Sequence, residues 1–219
     1  MKIAVIIPAR AGSKRLKKKN RLKINNKPLI EWTIKFAKKI KKIQIILVST
    51  DDWKIKNIAN KNKVLCERLR PKKLSKDISK TSDVCLYEVE KLNQEGYEID
   101  TILLLQPTSP FRSLKNINKA INIFHKKKLN SLLSVTKIEI NEKTILEKKD
   151  TNKYDYLFSK RKELFKINGN FYLISLSELE KKNNFFSQST YLFETNTFRE
   201  TIDIDNKEDF ILAKKYFKK

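Results

Sequence analysis

Histidine occurs once in this chain, at His125, and cysteine twice, at Cys66 and Cys85. A Ser-His-Asp relay or a zinc site needs more than that. His125 falls late in an expected helix beside the lysines of 126–128, with no partner in the sequence. The cysteines lack metal-site spacing, so reduced thiols in a cytoplasmic protein are the expected state. No apolar run is long enough to span a bilayer. The apolar start is too short, and runs too directly into a charged turn, for a signal peptide. Only three glycines occur. What remains open is chemistry that needs no nucleophile-and-base equipment. Phosphoryl and nucleotidyl transfer are of that kind, because positioning, cations and metal supply most of the catalysis.

Acidic residues are also scarce. Lysine and arginine outnumber aspartate and glutamate by 49 to 25, a formal charge of +24 over 219 residues. Two readings compete. One is a nucleic-acid-binding surface, in which lysine neutralises phosphates. The other is a general lysine bias on solvated faces. The basic clusters at 38–42, 126–128 and 181–182 lie far apart and build no single arm. That dispersal favours the bias over a dedicated footprint, although adhesion to polyanions at low salt is expected.

What is present is organised around the first thirty residues. Residues 3–7 form a short β-branched apolar run, the pattern of a buried parallel strand. After Pro8 comes Ala9-Arg10-Ala11-Gly12-Ser13-Lys14-Arg15, a small-residue turn with fixed cations. Backbone N–H groups and cations at the carboxyl end of a parallel strand suit phosphate binding. The turn matches neither GxGxxG nor GxxxxGK[ST], and an ordinary charged βα turn is the competing reading.

The chain continues as alternating strands and helices. A helix is predicted over 28–41, with Pro28 in its first turn. A strand over 43–49 leads to Asp51 and Asp52, either of which suits as the cap of a helix starting near Trp53. A short strand is predicted at 64–67, a polar loop at 71–82 and a helix at 83–94. The strand at 100–105 ends in Gln106-Pro107-Thr108-Ser109-Pro110-Phe111-Arg112, which reads either as a rigid polar platform or as a structural turn with a cap at Ser113. A helix to about 128 and a strand at 132–136 follow. Residues 137–165 break the pattern and read as a small antiparallel insertion. Tyr154, Tyr156, Leu157 and Phe158 are its candidates for packing on a partner chain. Residues 165–170 read as a turn and 171–174 as a strand. A helix at 176–182, an edge strand at 191–195, a strand at 201–205 and a closing helix at 207–217 complete the chain. The pattern is one doubly wound α/β domain over 1–219, a mostly parallel sheet flanked by helices, with ligands expected beyond the carboxyl ends of the strands.

In the expected strand at 201–205, Asp203 and Asp205 share one face while Ile202 and Ile204 share the other. Paired carboxylates suit Mg²⁺ carrying polyphosphate. The alternative is an exposed acidic turn, with Asp205 capping the last helix. The acidic pair complements the basic turn at Arg10 and Lys14, one side for metal and the other for phosphate oxygens.

Six motifs in order now resemble one family: Ile7-Pro8-Ala9-Arg10-Ala11-Gly12-Ser13-Lys14 with Lys19-Asn20, Val48-Ser49-Thr50-Asp51, Arg70-Pro71, the 105–112 string, Asn168-Gly169, and Ile202-Asp203-Ile204-Asp205. Together they resemble the acylneuraminate cytidylyltransferases (CMP-sialic acid synthetases), with their legionaminic and pseudaminic acid counterparts. The resemblance implies a Rossmann-like domain that couples CTP to a nine-carbon α-keto acid sugar with Mg²⁺. It also implies a homodimer in which the insertion at 137–165 reaches over the partner's site. By the same resemblance Arg10, Lys14 and Lys19 bind the triphosphate, and Ala9, Gly12, Ser13, Asn20, Arg70 and Thr81 contact the nucleotide. Gln106, Arg112, Arg161, Lys166 and Asn168 lie on the sugar side, and Asp203 and Asp205 hold the metal.

The departures bear on the acceptor. Thr81 replaces a serine but keeps the hydroxyl, and residues 17 and 18 are lysines where the family often has a proline. Lys166 replaces a common arginine, which loses a bidentate fork for carboxylate. Of the arginine-rich stretch upstream, Lys160-Arg161-Lys162 is the remnant. The resemblance makes Arg161 the best match for the cation that holds the sugar carboxylate from the partner subunit. Three alternatives stay open: a pseudaminic or 3-deoxy-manno-octulosonic acid acceptor, a basic nucleic-acid-binding protein, and a family member without catalysis.

Overall fold

Continuous β-branched runs are stable where both sheet faces are covered, and that condition is met here. A computed structural model describes residues 1–138, 146–150, 153–156 and 163–217. Strand β1 (Ile3–Pro8) lies inside a six-stranded sheet with β4 (Ile43–Ser49), β5 (Thr101–Leu104), β6 (Ser131–Ile138), β9 (Leu164–Ser175) and β10 (Tyr191–Glu194). Their order is β10-β6-β9-β5-β1-β4. The pairs β1–β4, β1–β5 and β6–β10 are parallel, and β9 alone runs antiparallel to its neighbours β5 and β6. A small hairpin, β2 (Lys23–Ile24) and β3 (Lys27–Pro28), precedes the first helix. Asn25 and Asn26 turn it with φ of 48° and 62°, values that asparagine tolerates.

Alternation along β1 assigns the two faces. Ile3, Val5 and Ile7 pack with Ile30, Ile34, Ala120, Ile121 and Phe124, from α1 (Leu29–Ala37) and α4 (Leu114–Lys126). Ile55 and Ala59 of α2 (Trp53–Lys61) join the same core. Ala4 and Ile6 pack with Cys85, Val89, Leu92 and Leu179 on the other face, from α3 (Thr81–Gln94) and α5 (Leu176–Lys182). A third cluster ties α6 (Lys207–Phe217) through Ala213 to Ile24, Leu29, Phe111, Ile202 and Ile204. Asp52 caps α2, accepting from the Lys54 N–H at 2.9 Å, and Ser113 caps α4.

Three expected elements differ. The strand at 64–67 reduces to a single parallel bridge between Leu47 and Leu65. The turn at 165–170 is part of β9, which runs through Asn168 and Gly169 with a register shift against β6. Residues 202–205 keep the alternation, with Ile202 and Ile204 buried, but have no ladder partner among the described residues. They are extended, attached by the Ile204 N–H to the Thr108 carbonyl at 2.8 Å. Within the expected insertion, β7 (Leu146–Asp150) and β8 (Lys153–Tyr156) pair antiparallel. Arg161, Leu157 and Phe158 lie outside the described residues, as do the side chains of Tyr154 and Tyr156.

Candidate active site

The loop after β1 is held from beneath. The Ala9 N–H donates to the Ser49 carbonyl at 2.9 Å, and Thr50 Oγ1 donates to the Ala9 carbonyl at 2.6 Å. Asp51 takes no helix-capping role and accepts the Ala11 N–H at 2.7 Å. Asn20 Nδ2 donates to the Arg10 carbonyl at 3.1 Å. These bonds lock the inner side of residues 9–11 and leave the outer side for a ligand. Ala9 itself is fully buried and acts as the anchor of the loop, not as a contact surface.

The loop opens on a cleft of about 290 Å³. Arg10, Gly12, Ser13, Lys19, Asn20, Arg70, Thr81 and Gln106 all line it, residues spread over the first half of the chain. Thr81 is the first residue of α3, placed there by the end of the polar loop. Gly12 borders open space, with nothing within 4 Å of where a Cβ would project. Arg70 forms the buried floor. Its Nε donates to Ser49 Oγ at 3.0 Å and its Nη2 to the Ser49 carbonyl at 2.5 Å. Ser49 Oγ in turn donates to Glu88 at 2.5 Å. A buried glutamate and a buried arginine are thus bridged by one hydroxyl. Burial pushes the Glu88 carboxyl up against the opposing pull of Ser49 and Arg70, and burial pushes Arg70 down.

The platform at 106–112 adjoins the cleft through Gln106, Pro107 and Thr108. Arg112, expected on the sugar side, is turned inward. Its Nε donates to the Asn170 carbonyl at 2.6 Å, its Nη1 to Thr33 Oγ1 at 3.2 Å and its Nη2 to the Gln106 carbonyl. Burial lowers its pKa to about 9, against the pull of Asp203. Asn168 is likewise spent on structure: Nδ2 donates to Thr195 Oγ1 at 2.7 Å and Thr136 Oγ1 at 2.9 Å. Lys166 is exposed on β9 opposite Thr136. Gly169 explains the Asn-Gly pair. Its φ is +74°, and a Cβ there would stand 2.9 Å from Ser109 Oγ and 3.3 Å from Gln106 Oε1, so the close approach requires glycine.

Asp203 and Asp205 emerge on one side of their extended segment but in different settings. Asp203 is exposed and accepts from Ser109 Oγ at 3.2 Å. Asp205 is held by Lys19 Nζ at 2.9 Å and Arg15 Nη2 at 2.8 Å. Burial works to raise Asp205, but these cations outweigh it and hold it below the usual carboxylate range. Asp205 does not cap α6. Asn206 and Asp209 do so reciprocally, with Asp209 N–H to Asn206 Oδ1 at 2.9 Å and Asn206 N–H to Asp209 Oδ2 at 3.0 Å.

Three residues have no role in the sequence reading, and a fourth, Arg15, enters it only as part of the basic turn. Asp77 bridges Arg10 Nη1 and Lys14 Nζ, at 2.7 Å each. Glu88 supports the floor. Arg15 shares Asp205. Tyr172 packs edge-on against Phe185, with ring centroids 5.6 Å apart, and burial together with the Asp203 charge raises its phenol to about 12. Phe185 follows a polar run and Tyr172 alternates in a strand, so neither carried a local signal. The carboxylate at 77, set among lysines in a polar loop, was the one readable hint.

An α/β sheet whose strand ends meet at a cation-lined cleft has the arrangement of a phosphate- or nucleotide-binding protein. The sequence profile of the cytidylyltransferases matches residues 4–219, and the chain belongs to that family. It is 33% identical to the CMP-N,N'-diacetyllegionaminic acid synthase of Legionella pneumophila, over 98% of this chain and 96% of that protein. It is 28% identical to the N-acylneuraminate cytidylyltransferase of Escherichia coli, over 97% of this chain and 51% of that one. Among solved structures, a CMP:2-keto-3-deoxy-manno-octonic acid synthetase complexed with CTP superposes with a TM-score of 0.75. That match covers 100% of this chain and 99% of the other at 17% identity, a likeness of fold.

Proposed function

We propose that this protein couples CTP to a nine-carbon α-keto acid sugar of the legionaminic or sialic type, releasing pyrophosphate. The observation that carries the proposal is one cleft lined by Arg10, Lys19, Asn20, Arg70 and Gln106, with Lys14 joined to Arg10 through Asp77 and Asp203 held to the adjoining platform by Ser109. The full-length likeness to the Legionella synthase supports the acceptor class. In this reading Arg10 and Lys14 bind the triphosphate and offset charge that grows on the leaving group. Arg70, Asn20 and Thr81 orient the nucleoside. The anomeric oxygen bonds to the α-phosphorus as the bond to the β-phosphate oxygen breaks. Pyrophosphate leaves with that electron pair, and the hydroxyl proton passes to solvent, to which Asp203 is open.

The carboxylates of Asp203 and Asp205 are oxygen donors of the kind a hard divalent cation such as Mg²⁺ takes; among the described residues no group of three or more ligating side chains exists, so polyphosphate oxygens and water would have to complete its shell. Asp203 is the carboxylate available to it, and Asp205 would join by sharing its oxygens with Lys19. When bound, the ion supplies charge neutralisation at the reacting phosphate. Lys166 and Arg161 belong to the acceptor side in this proposal. A homodimer accords with Ile138, Leu164 and Ile167, apolar side chains about 40% exposed where β6 and β9 run toward the insertion.

The test is pyrophosphate release from CTP with Mg²⁺ and a panel of acids: N-acetylneuraminic, legionaminic, pseudaminic and 3-deoxy-manno-octulosonic. Release with legionaminic or N-acetylneuraminic acid is expected. Release with 3-deoxy-manno-octulosonic acid alone would move the acceptor to an eight-carbon class.

A further inference from the structure

The cations assigned to the triphosphate are already occupied. Arg10 and Lys14 each place a nitrogen 2.7 Å from a different oxygen of Asp77. Their two charges meet on one carboxylate, which stands where phosphate oxygens are expected. Asp77 lies in the loop between the 3₁₀ turn Lys72–Leu74 and α3, and it lines the cleft together with Lys76 and Ser79. The loop's other bonds are local, such as Ser79 Oγ to the Lys73 carbonyl at 3.0 Å. Its next residue, Ile78, is 87% exposed, so no apolar packing holds the tip in place. The Arg10 and Lys14 contacts are what draw this loop over the cleft.

We propose that Asp77 is the resident counter-ion of the triphosphate site, displaced by the incoming nucleotide and returning as pyrophosphate leaves. The inference rests on the assignment of Arg10 and Lys14 to the triphosphate. The chemistry is an exchange of anions. One carboxylate charge on a tethered loop bridges the two cations and offsets part of their combined charge before nucleotide binds. A polyphosphate carries several charges and more acceptor oxygens, so it wins the exchange. The Lys14 hydrogen bond above all keeps Asp77 below the usual carboxylate range, so the competitor is ionised at neutral pH. Exposed ion pairs are weak, each shifting an equilibrium by less than about fivefold. That weakness suits a group which must leave on every turnover. It also shortens the time pyrophosphate stays, because the loop competes for the same cations.

Binding of inorganic tripolyphosphate and of CTP, without added divalent metal, is measured by calorimetry for the wild type, Asp77→Asn and the control Glu90→Gln, an exposed α3 residue. Tripolyphosphate and CTP are expected to bind Asp77→Asn about two- to tenfold more tightly than the wild type. Glu90→Gln should match the wild type, and pyrophosphate should inhibit Asp77→Asn at correspondingly lower concentration. Equal CTP affinity in wild type and Asp77→Asn would overturn the counter-ion role and leave the triphosphate site standing. Weaker binding by Asp77→Asn would also overturn it and make Asp77 a ligand of the nucleotide. Absence of CTP binding in both proteins, with Mg²⁺ as well as without it, would overturn the triphosphate assignment and this inference with it.

Discussion

Glu88 shows how a residue away from the ligand shapes the site. It holds Ser49, and Ser49 holds the Arg70 guanidinium at the floor of the cleft. Burial raises the Glu88 pKa above its ordinary value near 4.3. A carboxyl whose folded pKa is raised gives its full stability contribution below the unfolded value, and that contribution is lost as pH rises through the folded value. Wild type should therefore lose stability relative to Glu88→Gln as pH rises from about 4, measured as urea midpoints across pH. At this scale the sequence was readable where chemistry is contiguous. Arg10, Gly12, Ser13, Lys19 and Asn20 sit within eleven residues and line one cleft. It misled where a side chain's direction decides its role. Arg112 stands at a strand end, as expected of a ligand contact, yet its donors point to Asn170, Thr33 and Gln106. The partners of Asp77 and Glu88 carry no local signal, because they lie 63 or more and 39 residues away respectively.

Elements repeat this pattern. The helices at 176–182 and 207–217 were legible to the residue, because periodicity and caps are local signals. The alternation at 201–205 predicts a strand, but a strand also needs a ladder partner, which local sequence does not supply. The Asn-Gly pair predicts a turn, whereas β9 carries Gly169 through a positive φ without leaving the sheet. Packing, not pairing, places the acidic segment: Ile202 and Ile204 sink into the cluster formed by α6, Phe111 and Leu29. Ile204→Ala should cost about 2–5 kcal/mol. It should lower kcat well before it weakens CTP binding, because the cavity lies under Asp203 and Asp205 while Arg10 and Arg70 stay anchored. Thermal unfolding, kcat and the CTP dissociation constant measured on one preparation check this. A fall in CTP affinity as large as the fall in kcat would place the acidic segment in nucleotide binding instead.

At the scale of the whole molecule, charge and fold carry different information. The lysine excess is spread over the chain, while the cleft is defined by a few cations that the strand ends bring together. The doubly wound order was legible because each buried strand is a continuous apolar run and each helix follows one. The antiparallel entry of β9 between β5 and β6 was not, since long-range strand order leaves no local mark. Membership of the cytidylyltransferases sets the reaction class, and the acceptor is the open choice. The most direct measurement is the amount of CMP-linked sugar acid and of pyrophosphate formed from CTP and legionaminic acid with Mg²⁺, followed by mass spectrometry and a coupled phosphate assay. The account predicts the two products in equal amounts and dependent on the acid. Pyrophosphate without a CMP conjugate, or no product with any nine-carbon acid, would contradict it.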